Sequence, residues 1–326
     1  PPGFLPPVGV FFDPIRRSMR TCAIVNPAAG RGRGKRLWPR LEPRLRAATT
    51  ALSVQCTTGP GHATRLARTA IRDGYDRLVA VGGDGTLHEV VNGYFEPDGT
   101  ALAPAPPLVP LPCGTGTDFN RMLGGKTGLD ALAYLHSDRV RAIDLLRLGY
   151  TNLDDEPAHR YAVNITSVGL SSEVVRAVNR GGLSLPSPRL RYLAAIVRAL
   201  LSHEPFRVGL TLDGVNLGER CVRVVAAANG HTFGAGVKIA PNAVIDDGRL
   251  DVTILDDVPA SRLFRNLPRF YDGRHLSLDG VTAHRGRRLT IRPLDNASVW
   301  LEADGELLGR LPVTVEVVPD ALRIQY

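Results

Sequence analysis

Val79-Ala80-Val81-Gly82-Gly83-Asp84-Gly85-Thr86-Leu87-His88-Glu89 decides the fold, because an apolar strand there runs into a glycine-rich loop and then a helix. The apolar run 78–81 is typical of a strand in a parallel sheet, and residues 87–94 have helical character. Adjacent glycines let a backbone approach a ligand closely. The amides of Gly85 and Thr86 would then point outward at a helix N-terminus, a position that suits a phosphate group.

Asp84 is unusual for a loop that only binds anions, because its carboxylate adds negative charge. It fits a site in which a cation, such as the magnesium carried by a nucleotide, lies between the carboxylate and a phosphate. The alternative is an ordinary turn between a strand and a helix, since Gly-Gly-Asp-Gly also occurs in such turns.

Two further loops of the same kind favour a ligand site. The apolar strand 21–25 leads into Asn26-Pro27-Ala28-Ala29-Gly30, and an apolar run within 107–112 leads into Cys113-Gly114-Thr115-Gly116-Thr117-Asp118-Phe119-Asn120-Arg121. Ligands of open parallel sheets bind beyond the carboxyl ends of the strands. Three such loops at one edge therefore predict one phosphate-binding site.

Two common phosphate motifs do not match this chain. A P-loop requires Gly-x-x-x-x-Gly-Lys-Ser/Thr, but Gly34-Lys35 is followed by Arg36 and position 29 is alanine. A dinucleotide fingerprint requires Gly-x-Gly-x-x-Gly after a strand, whereas Gly30-Arg31-Gly32-Arg33-Gly34 has a different spacing. A dehydrogenase is therefore disfavoured.

The three loops resemble those of the diacylglycerol kinase catalytic family, whose bacterial members are soluble lipid kinases related to sphingosine and ceramide kinases. The matching motifs are Asn-Pro-x-x-Gly, Gly-Gly-Asp-Gly-Thr-x-x-Glu-Val-Val-Asn-Gly and Pro-x-Gly-Thr-x-x-Asp-Phe. The resemblance continues in 241–252 and in Asp304-Gly305-Glu306, so it covers about residues 20–326. Thr117 and Asn120 depart from the family's Asn-Asp-Phe-Ala-Arg, which bears on the substrate more than on the nucleotide.

The resemblance implies ATP as a substrate, Mg²⁺ as a cofactor and a role for each matching residue. Asp84 and Asp118 would form an acidic network around magnesium, and Glu306 would accept the proton of a lipid hydroxyl. The Asp247 carboxylate would hold a second magnesium ion with backbone carbonyls at Val244 and Arg249, whose side chains offer no suitable oxygen. Nucleotide contacts are implied for Asn26, Pro27, Ala28, Ala29, Gly30, Thr57, Gly82, Gly83, Asp84, Gly85, Thr86, Leu87, His88, Glu89 and Thr115.

Ordinary structural roles stay open for several of these residues. Thr57 also suits the capping region of the helix that begins near residue 63, and Asp118 suits a helix N-cap. Asp246-Asp247-Gly248 suits a hairpin turn without metal. A glutamate that follows a turn, as Glu306 does, is usually solvated.

The pattern of strands predicts an α/β + β protein with two domains and a short arm. Residues 20–138 alternate strands and helices, as in a doubly wound nucleotide-binding domain. Residues 139–326 carry short strands and Asp-Gly turns, which predicts a larger β-sandwich-like domain with helical insertions at 190–201 and 260–271. Two of its strands are predicted over 160–167 and 313–317, and a return of the last strand to the first domain stays open. Residues 1–19 form a proline-rich N-terminal arm.

The composition is that of a soluble globular protein, with 44% hydrophobic and 22% charged residues. No apolar run approaches the roughly 18 residues of a transmembrane helix, and four scattered cysteines indicate a reducing, cytoplasmic setting.

A net charge of +8 favours an anionic membrane surface. Arg191 and Arg198, opposite the apolar stripe of the helix at 190–201, are candidates for that contact. Dispersed arginines disfavour nucleic acid, and a homodimer stays open.

We therefore expect an ATP-dependent lipid kinase with peripheral membrane association and diacylglycerol as the favoured acceptor. Sphingoid bases, ceramide and specialised metabolites are alternative acceptors. The other classes are an NAD-kinase-like enzyme and a non-catalytic nucleotide- or lipid-binding regulator. The spacing of the Asn-Pro and Pro-x-Gly-Thr loops disfavours the first class. The presence of Asp84, Asp118 and Glu306 disfavours the second.

Overall fold

The computed structural model describes residues 19–114, 117–179, 188–234, 236–295 and 298–326. The predicted N-terminal arm lies outside the described residues except for Met19, and so does Thr115. No helix in the described part of the chain has the length and apolar character needed to cross a bilayer.

Parallel strands form the first part of the sheet: β1 (Arg20–Val25), β2 (Ala51–Cys56), β3 (Arg77–Gly82) and β4 (Leu108–Pro112). They lie in the order β4-β3-β1-β2, each parallel to its neighbour. The α-helices between them are α1 (Ala29–Ala47), α2 (His62–Arg72) and α3 (Asp84–Asn92). Short 3₁₀ helices follow β4 at Phe119–Leu123 and Asp130–His136.

Both faces of these strands are covered by helices, which explains why the strands read as continuous apolar runs. On one face, Ile24 packs in a cluster with Ala67 of α2 and Val90 of α3. On the other face, Val25 packs in a cluster with Leu41 of α1. Successive residues along one strand therefore pack into two separate cores.

The rest of the chain is mainly antiparallel. Its elements are β5 (Val140–Asn152), β6 (Pro157–Ala162), β7 (Ile165–Gly169), α4 (Leu170–Asn179), α5 (Pro188–Ser202), β8 (Phe206–Leu212), β9 (Val215–Ala228), β10 (Leu250–Asp256), α6 (Ala260–Asp272), β11 (Val281–Gly286), β12 (Arg288–Pro293), β13 (Trp300–Ala303) and β14 (Glu306–Gln325). A 3₁₀ turn at His275–Ser277 precedes β11.

Six of these strands close into a ring, in the order β7-β13-β14-β12-β8-β9. All six contribute to one apolar core, which includes Val208, Val225 and Leu301. This β-rich second part agrees in outline with the sequence-based expectation, although its strands form one continuous set of pairings instead of two separate sheets.

Three helices cover the outer face of β9 and β10. Leu170 of α4, Ala195 of α5 and Leu263 of α6 belong to one buried cluster with Val224 and Leu255 of those strands. This cluster is separate from the core inside the ring. It forms much of the wall of the site described below.

The long strand β14 joins the two parts of the molecule. It pairs with β13, β12 and β5 in the second part. Near its end, Ile324 pairs in parallel with Leu108 of β4. The chain therefore returns to the first sheet, and the predicted strand 313–317 is only a section of a longer one.

One prediction of secondary structure was wrong, and one helix was missed. The strand predicted over 160–167 is divided into β6 and β7, because the amides at the bend, including those of Val163 and Asn164, bond to the Asp304 carboxylate instead of a neighbouring strand. The helix α4 was not predicted at all. Its sequence, Leu-Ser-Ser-Glu-Val-Val-Arg-Ala-Val-Asn, is rich in residues with weak helix propensity, and tertiary packing overrides that preference.

Candidate active site

A cavity of about 820 Å³ lies between the loops of the parallel strands and the helices of the second part. One end is bounded by the segments that follow β1, β2 and β3, namely 26–31, 57–60 and 83–87. The other end is bounded by apolar side chains of α4, α5 and α6. The cavity therefore brings the phosphate-type loops into the same space as an apolar chamber.

Asn26 ties the first loop to the beginning of α3. Its side-chain amide donates to the Thr86 hydroxyl at 2.9 Å, and its side-chain oxygen accepts the amide of Ala28 at 3.0 Å. Pro27, Ala29 and the neighbouring loop residues line the cavity. The first and second glycine-containing loops are thus held at a fixed separation.

Glycine is required where these loops approach each other. A Cβ at Gly82 would lie 2.2 Å from the Thr86 hydroxyl oxygen, so the turn from β3 into α3 has no room for a side chain. Gly30 has a φ of +60°, and a Cβ there would lie 3.2 Å from the Cα of Gly114 in the third loop. Gly83, Gly85 and Leu87 line the cavity.

Asp84 begins α3 and lies next to Asp118. Its Oδ2 atom accepts the backbone amide of Asp118 at 2.9 Å. Burial, and then the nearby charge of Asp118, raise the pKa of Asp84 to about 7. The Asp118 carboxylate lies 3.5 Å from the guanidinium of Arg121. Carboxylate oxygens are ligands that a divalent cation prefers, and a cation held by these two residues stays a prediction.

Glu89 positions the loop that joins β2 to α2. Its carboxylate accepts the amides of Gly61 at 2.8 Å and of Ala63 at 3.0 Å, at the start of α2. Those contacts exclude the capping role considered for Thr57, because the amides at the start of α2 are bound by Glu89 and the N-cap residue is Gly61. Thr57 lies on the cavity wall. Nucleotide contacts of Thr57 and Glu89 stay predictions.

His88 turns away from the cavity and is fully buried. Its Nδ1 atom lies 2.9 Å from Oδ2 of Asp304, in the turn between β13 and β14. The Asp304 carboxylate also accepts the amides of Val163, Asn164 and Ile165, at 2.9, 3.0 and 3.1 Å. Asp304 therefore connects α3, the β6–β7 bend and the turn before Glu306. A nucleotide contact by His88 stays a prediction.

Glu306 follows that turn and faces the phosphate-type loop. A Cβ at Gly85 would lie 3.0 Å from Oε1 of Glu306. The carboxylate reaches solvent at the edge of the cavity, but the surrounding walls desolvate it enough to raise its pKa above the usual value. The structure thus brings together Asp84, Asp118 and Glu306, which are far apart in sequence.

The apolar end of the cavity lies under the helices. Its wall includes Val174 of α4, Ile196 and Leu200 of α5, and Phe270 of α6. Arg191 lines the cavity and Arg198 is exposed, and the membrane contact predicted for both stays a prediction. An apolar chamber of this kind suits a hydrocarbon chain.

Asp247 lies outside the cavity lining, as do Val244 and Arg249. One oxygen of Asp247 accepts the amide of Arg249 at 3.0 Å, and the other contacts the guanidinium of Arg285. Among the described residues, no three His, Cys, Asp or Glu side chains are grouped as metal ligands. The predicted site needs one carboxylate and two backbone carbonyls, so this finding does not bear on it, and a magnesium ion at Asp247 stays a prediction.

Glu302 and Tyr192 are among the cavity residues that sequence reasoning missed. Glu302 alternates with the core residues Leu301 and Ala303 along β13, so its side chain lies on the opposite face of the strand. Strand alternation just before Asp304-Gly305-Glu306 was the available signal. No pattern in the sequence indicated that Tyr192 lies at the cavity, because its helix packs on residues from several distant elements.

Comparisons with known proteins agree with this geometry. Residues 20–148 match the family model described as diacylglycerol kinase catalytic domain. Residues 164–326 match the model described as YegS C-terminal NAD kinase beta sandwich-like domain. A diacylglycerol kinase of Mycobacterium tuberculosis is 28% identical over 94% of this chain and 94% of its own length. A protein of Xanthomonas oryzae pv. oryzae named "Probable lipid kinase YegS-like" is 33% identical over 86% of this chain and 88% of its own length.

A solved structure shows the same fold. The crystal structure of a diacylglycerol kinase from Bacillus anthracis str. Sterne matches with a TM-score of 0.73 and 23% identity. The match covers 95% of this chain and 98% of that chain. Together, the two family models account for nearly the whole length from the first strand onward, and the family resemblance seen in the sequence is confirmed. The chain belongs to the diacylglycerol kinase catalytic family, and it is a phosphotransferase of the lipid kinase class.

Proposed function

We propose that the protein transfers the γ-phosphoryl group of ATP to the hydroxyl of diacylglycerol. The observation that carries this proposal is the continuity of the cavity, which joins the phosphate-type loops to an apolar chamber. Asp84, Asp118 and Glu306 lie where the two regions meet. The same enzyme class also acts on sphingoid bases, ceramide or other hydroxyl acceptors, and these are the competing substrates.

The loops would hold the phosphates through backbone amides. Gly83, Gly85 and Thr86 lie at the beginning of α3, where unpaired amides and the helix dipole favour anions. Asn26 fixes this helix terminus relative to the first loop. Asp84 and Asp118 would hold a magnesium ion that arrives with ATP, and this ion supplies charge neutralisation between the phosphates.

Glu306 would accept the proton of the lipid hydroxyl. The hydroxyl oxygen forms a bond to the γ-phosphorus while the bond from that phosphorus to the bridging oxygen of ADP breaks. Desolvation raises the pKa of Glu306, which makes this carboxylate a stronger base than a free glutamate. The apolar chamber would bind the hydrocarbon part of the lipid and exclude water from the junction.

We also propose that the enzyme works in the cytoplasm, at an anionic membrane surface. The net charge of +8 favours such a surface, and all four cysteines are free thiols, which is compatible with a reducing compartment. Leu201 and Phe264 are 81% and 58% exposed. They directly follow Leu200 and Leu263, which line the cavity. Exposed apolar groups beside the chamber would let a lipid enter from a bilayer.

The test is a phosphotransfer assay with radiolabelled ATP over diacylglycerol, sphingosine, ceramide and soluble polyols. The lipids are presented in mixed micelles, and products are identified by mass spectrometry. We expect phosphatidic acid as the main product, and little product from Asp84→Asn. Preferential phosphorylation of sphingosine, ceramide or a soluble polyol would contradict the diacylglycerol assignment.

A further inference from the structure

Glu302 is a buried acid beside the turn that carries Glu306. It lies on β13, and the residue is only 1% exposed. Its carbonyl oxygen accepts the hydroxyl of Thr166 at 2.7 Å, within the pairing of β13 with β7. A carboxyl group buried this deeply is costly unless its oxygens are hydrogen-bonded.

Both oxygens of the Glu302 side chain have partners. Oε1 accepts a short hydrogen bond from the Ser167 hydroxyl on β7. Oε2 accepts the backbone amide of Gly305 at 3.1 Å. The side chain therefore links a central strand of the ring to the turn at Asp304 and Gly305.

That turn has a conformation that needs support. Asp304 and Gly305 have φ values of 50° and 86°, both in the left-handed region, which costs energy for a residue such as aspartate. The Asp304 carboxylate supports the turn from the side of α3 and the β6–β7 bend. Glu302 supports it from the side of β7.

We propose that Glu302 is a positioning residue that fixes the turn and thereby directs the Glu306 carboxylate towards the phosphate-type loop. This inference rests on the proposed role of Glu306. Glu302 itself does not act as the base, because both of its oxygens are hydrogen-bonded and only 1% of the residue is exposed where it meets the cavity wall. Glu302 affects the reaction because it fixes the position of Gly305, the residue directly before Glu306.

The charge of the site supports this division of roles. Burial raises the pKa of Glu302 to about 8, so this side chain is mainly a neutral acid at pH 7. In that form the proton is on Oε1 and the Ser167 hydroxyl oxygen accepts it, while Oε2 keeps the amide of Gly305. The ionisable groups nearest to it include Asp304 and Glu306. A neutral Glu302 holds the turn without adding another negative charge beside the base, and glutamine is therefore a close substitute.

The test is a double-mutant cycle between Glu302 and Glu306, measured as kcat and as KM for ATP and lipid. We expect Glu302→Gln to keep nearly the wild-type kcat. Glu302→Ala should lower kcat by roughly ten- to a hundredfold, with KM for ATP unchanged, because small misplacements of a reacting group cost this much. In the Glu306→Gln background, Glu302→Ala should have no further effect on kcat.

Glu316→Ala is the matched control, since it removes a glutamate of the same sheet that pairs with Arg288 at 2.6 Å and does not line the cavity. Ser167→Ala, which removes one partner of Glu302, should lower kcat less than Glu302→Ala and serves if that variant does not fold. A Glu302→Gln enzyme as slow as Glu302→Ala would overturn the proposal, as would equal effects of Glu302→Ala with and without Glu306. A Glu306→Gln enzyme with full activity would instead overturn the assignment of the base.

Discussion

The Nδ1 atom of His88 lies 2.9 Å from Oδ2 of Asp304, across 216 residues of sequence. His88 belongs to the helix that starts at the phosphate-type loop, and Asp304 to the turn that presents Glu306. A buried hydrogen bond therefore links the nucleotide side of the cavity to the acceptor side. A displacement of one side would therefore displace the other.

Replacement of His88 by alanine should remove the hydrogen bond that links the nucleotide side of the cavity to the acceptor side. Loss of the ring leaves part of the buried Asp304 carboxylate without a partner, which costs about 1–3 kcal/mol of unfolding free energy. We expect a lower kcat as well, because the turn before Glu306 loses one of its supports. Chemical denaturation and steady-state kinetics measure the two effects. His159→Ala, at an exposed position on β6, is the control, and equal behaviour of the two variants would show that the link is unimportant.

The activity should depend on pH through Asp84. Its pKa of about 7 means that the carboxylate is largely protonated at pH 6 and largely ionised at pH 8. Binding of a cation requires the ionised form, so kcat/KM for ATP should rise with pH through this range. Binding of magnesium and ATP should also release protons, which calorimetry in buffers of different ionisation enthalpy detects.

Asp84→Asn should abolish this proton release and most of the activity. Asp98→Asn is a suitable control, because Asp98 lies in an exposed loop away from the cavity. Proton release that persists in Asp84→Asn would assign the titration to another group.

Gly82→Ala should destabilise the protein. A Cβ at this position would meet Thr86 at 2.2 Å, so the start of α3 must shift. Overpacking of this kind costs about 1–3 kcal/mol. Gly59→Ala is the matched control, since a Cβ at Gly59 has no heavy atom within 4 Å. The midpoints of urea unfolding compare the two, and an unaffected Gly82→Ala would mean that the turn has more freedom than its contacts indicate.

Membrane association should be electrostatic and should involve Arg198. A basic residue near an anionic surface contributes about 1 kcal/mol, so Arg198→Glu should weaken binding to anionic vesicles by roughly tenfold. Binding should fall at high salt and should be weak to neutral vesicles. Arg40→Glu on α1 makes the same charge change on the first part of the chain and should have little effect. Salt-independent binding would point instead to insertion of apolar groups such as Phe264.

The phosphate-type loops could be predicted from sequence because each follows an apolar strand directly. Strand, loop and helix are contiguous there, so Asn26, Asp84 and Asp118 could be placed at one sheet edge from their spacing alone. Glu306 could be assigned only through the family resemblance. Its approach to Gly85 depends on the packing of two parts of the chain, which local patterns do not encode.

The hydrogen bonds of Asp304 and Glu302, which hold the turn before Glu306, could not be predicted for the same reason. The partners of Asp304 lie on α3 and on the β6–β7 bend, and the partners of Glu302 include Ser167 on β7. Each of these contacts joins residues that are distant in sequence. The division of 160–167 into two strands follows from the Asp304 contacts, so it could not be predicted from the sequence either.

The pairing of Ile324 with Leu108 has a consequence for biosynthesis. The loops that form the phosphate end of the cavity are complete once residue 121 has been made, but the outer edge of β4 is covered only by a strand made about two hundred residues later. A nascent chain that has emerged up to α4 therefore exposes an unpaired edge strand, which is prone to pair with other chains. We therefore expect chains truncated after α4 to aggregate more readily than the full chain.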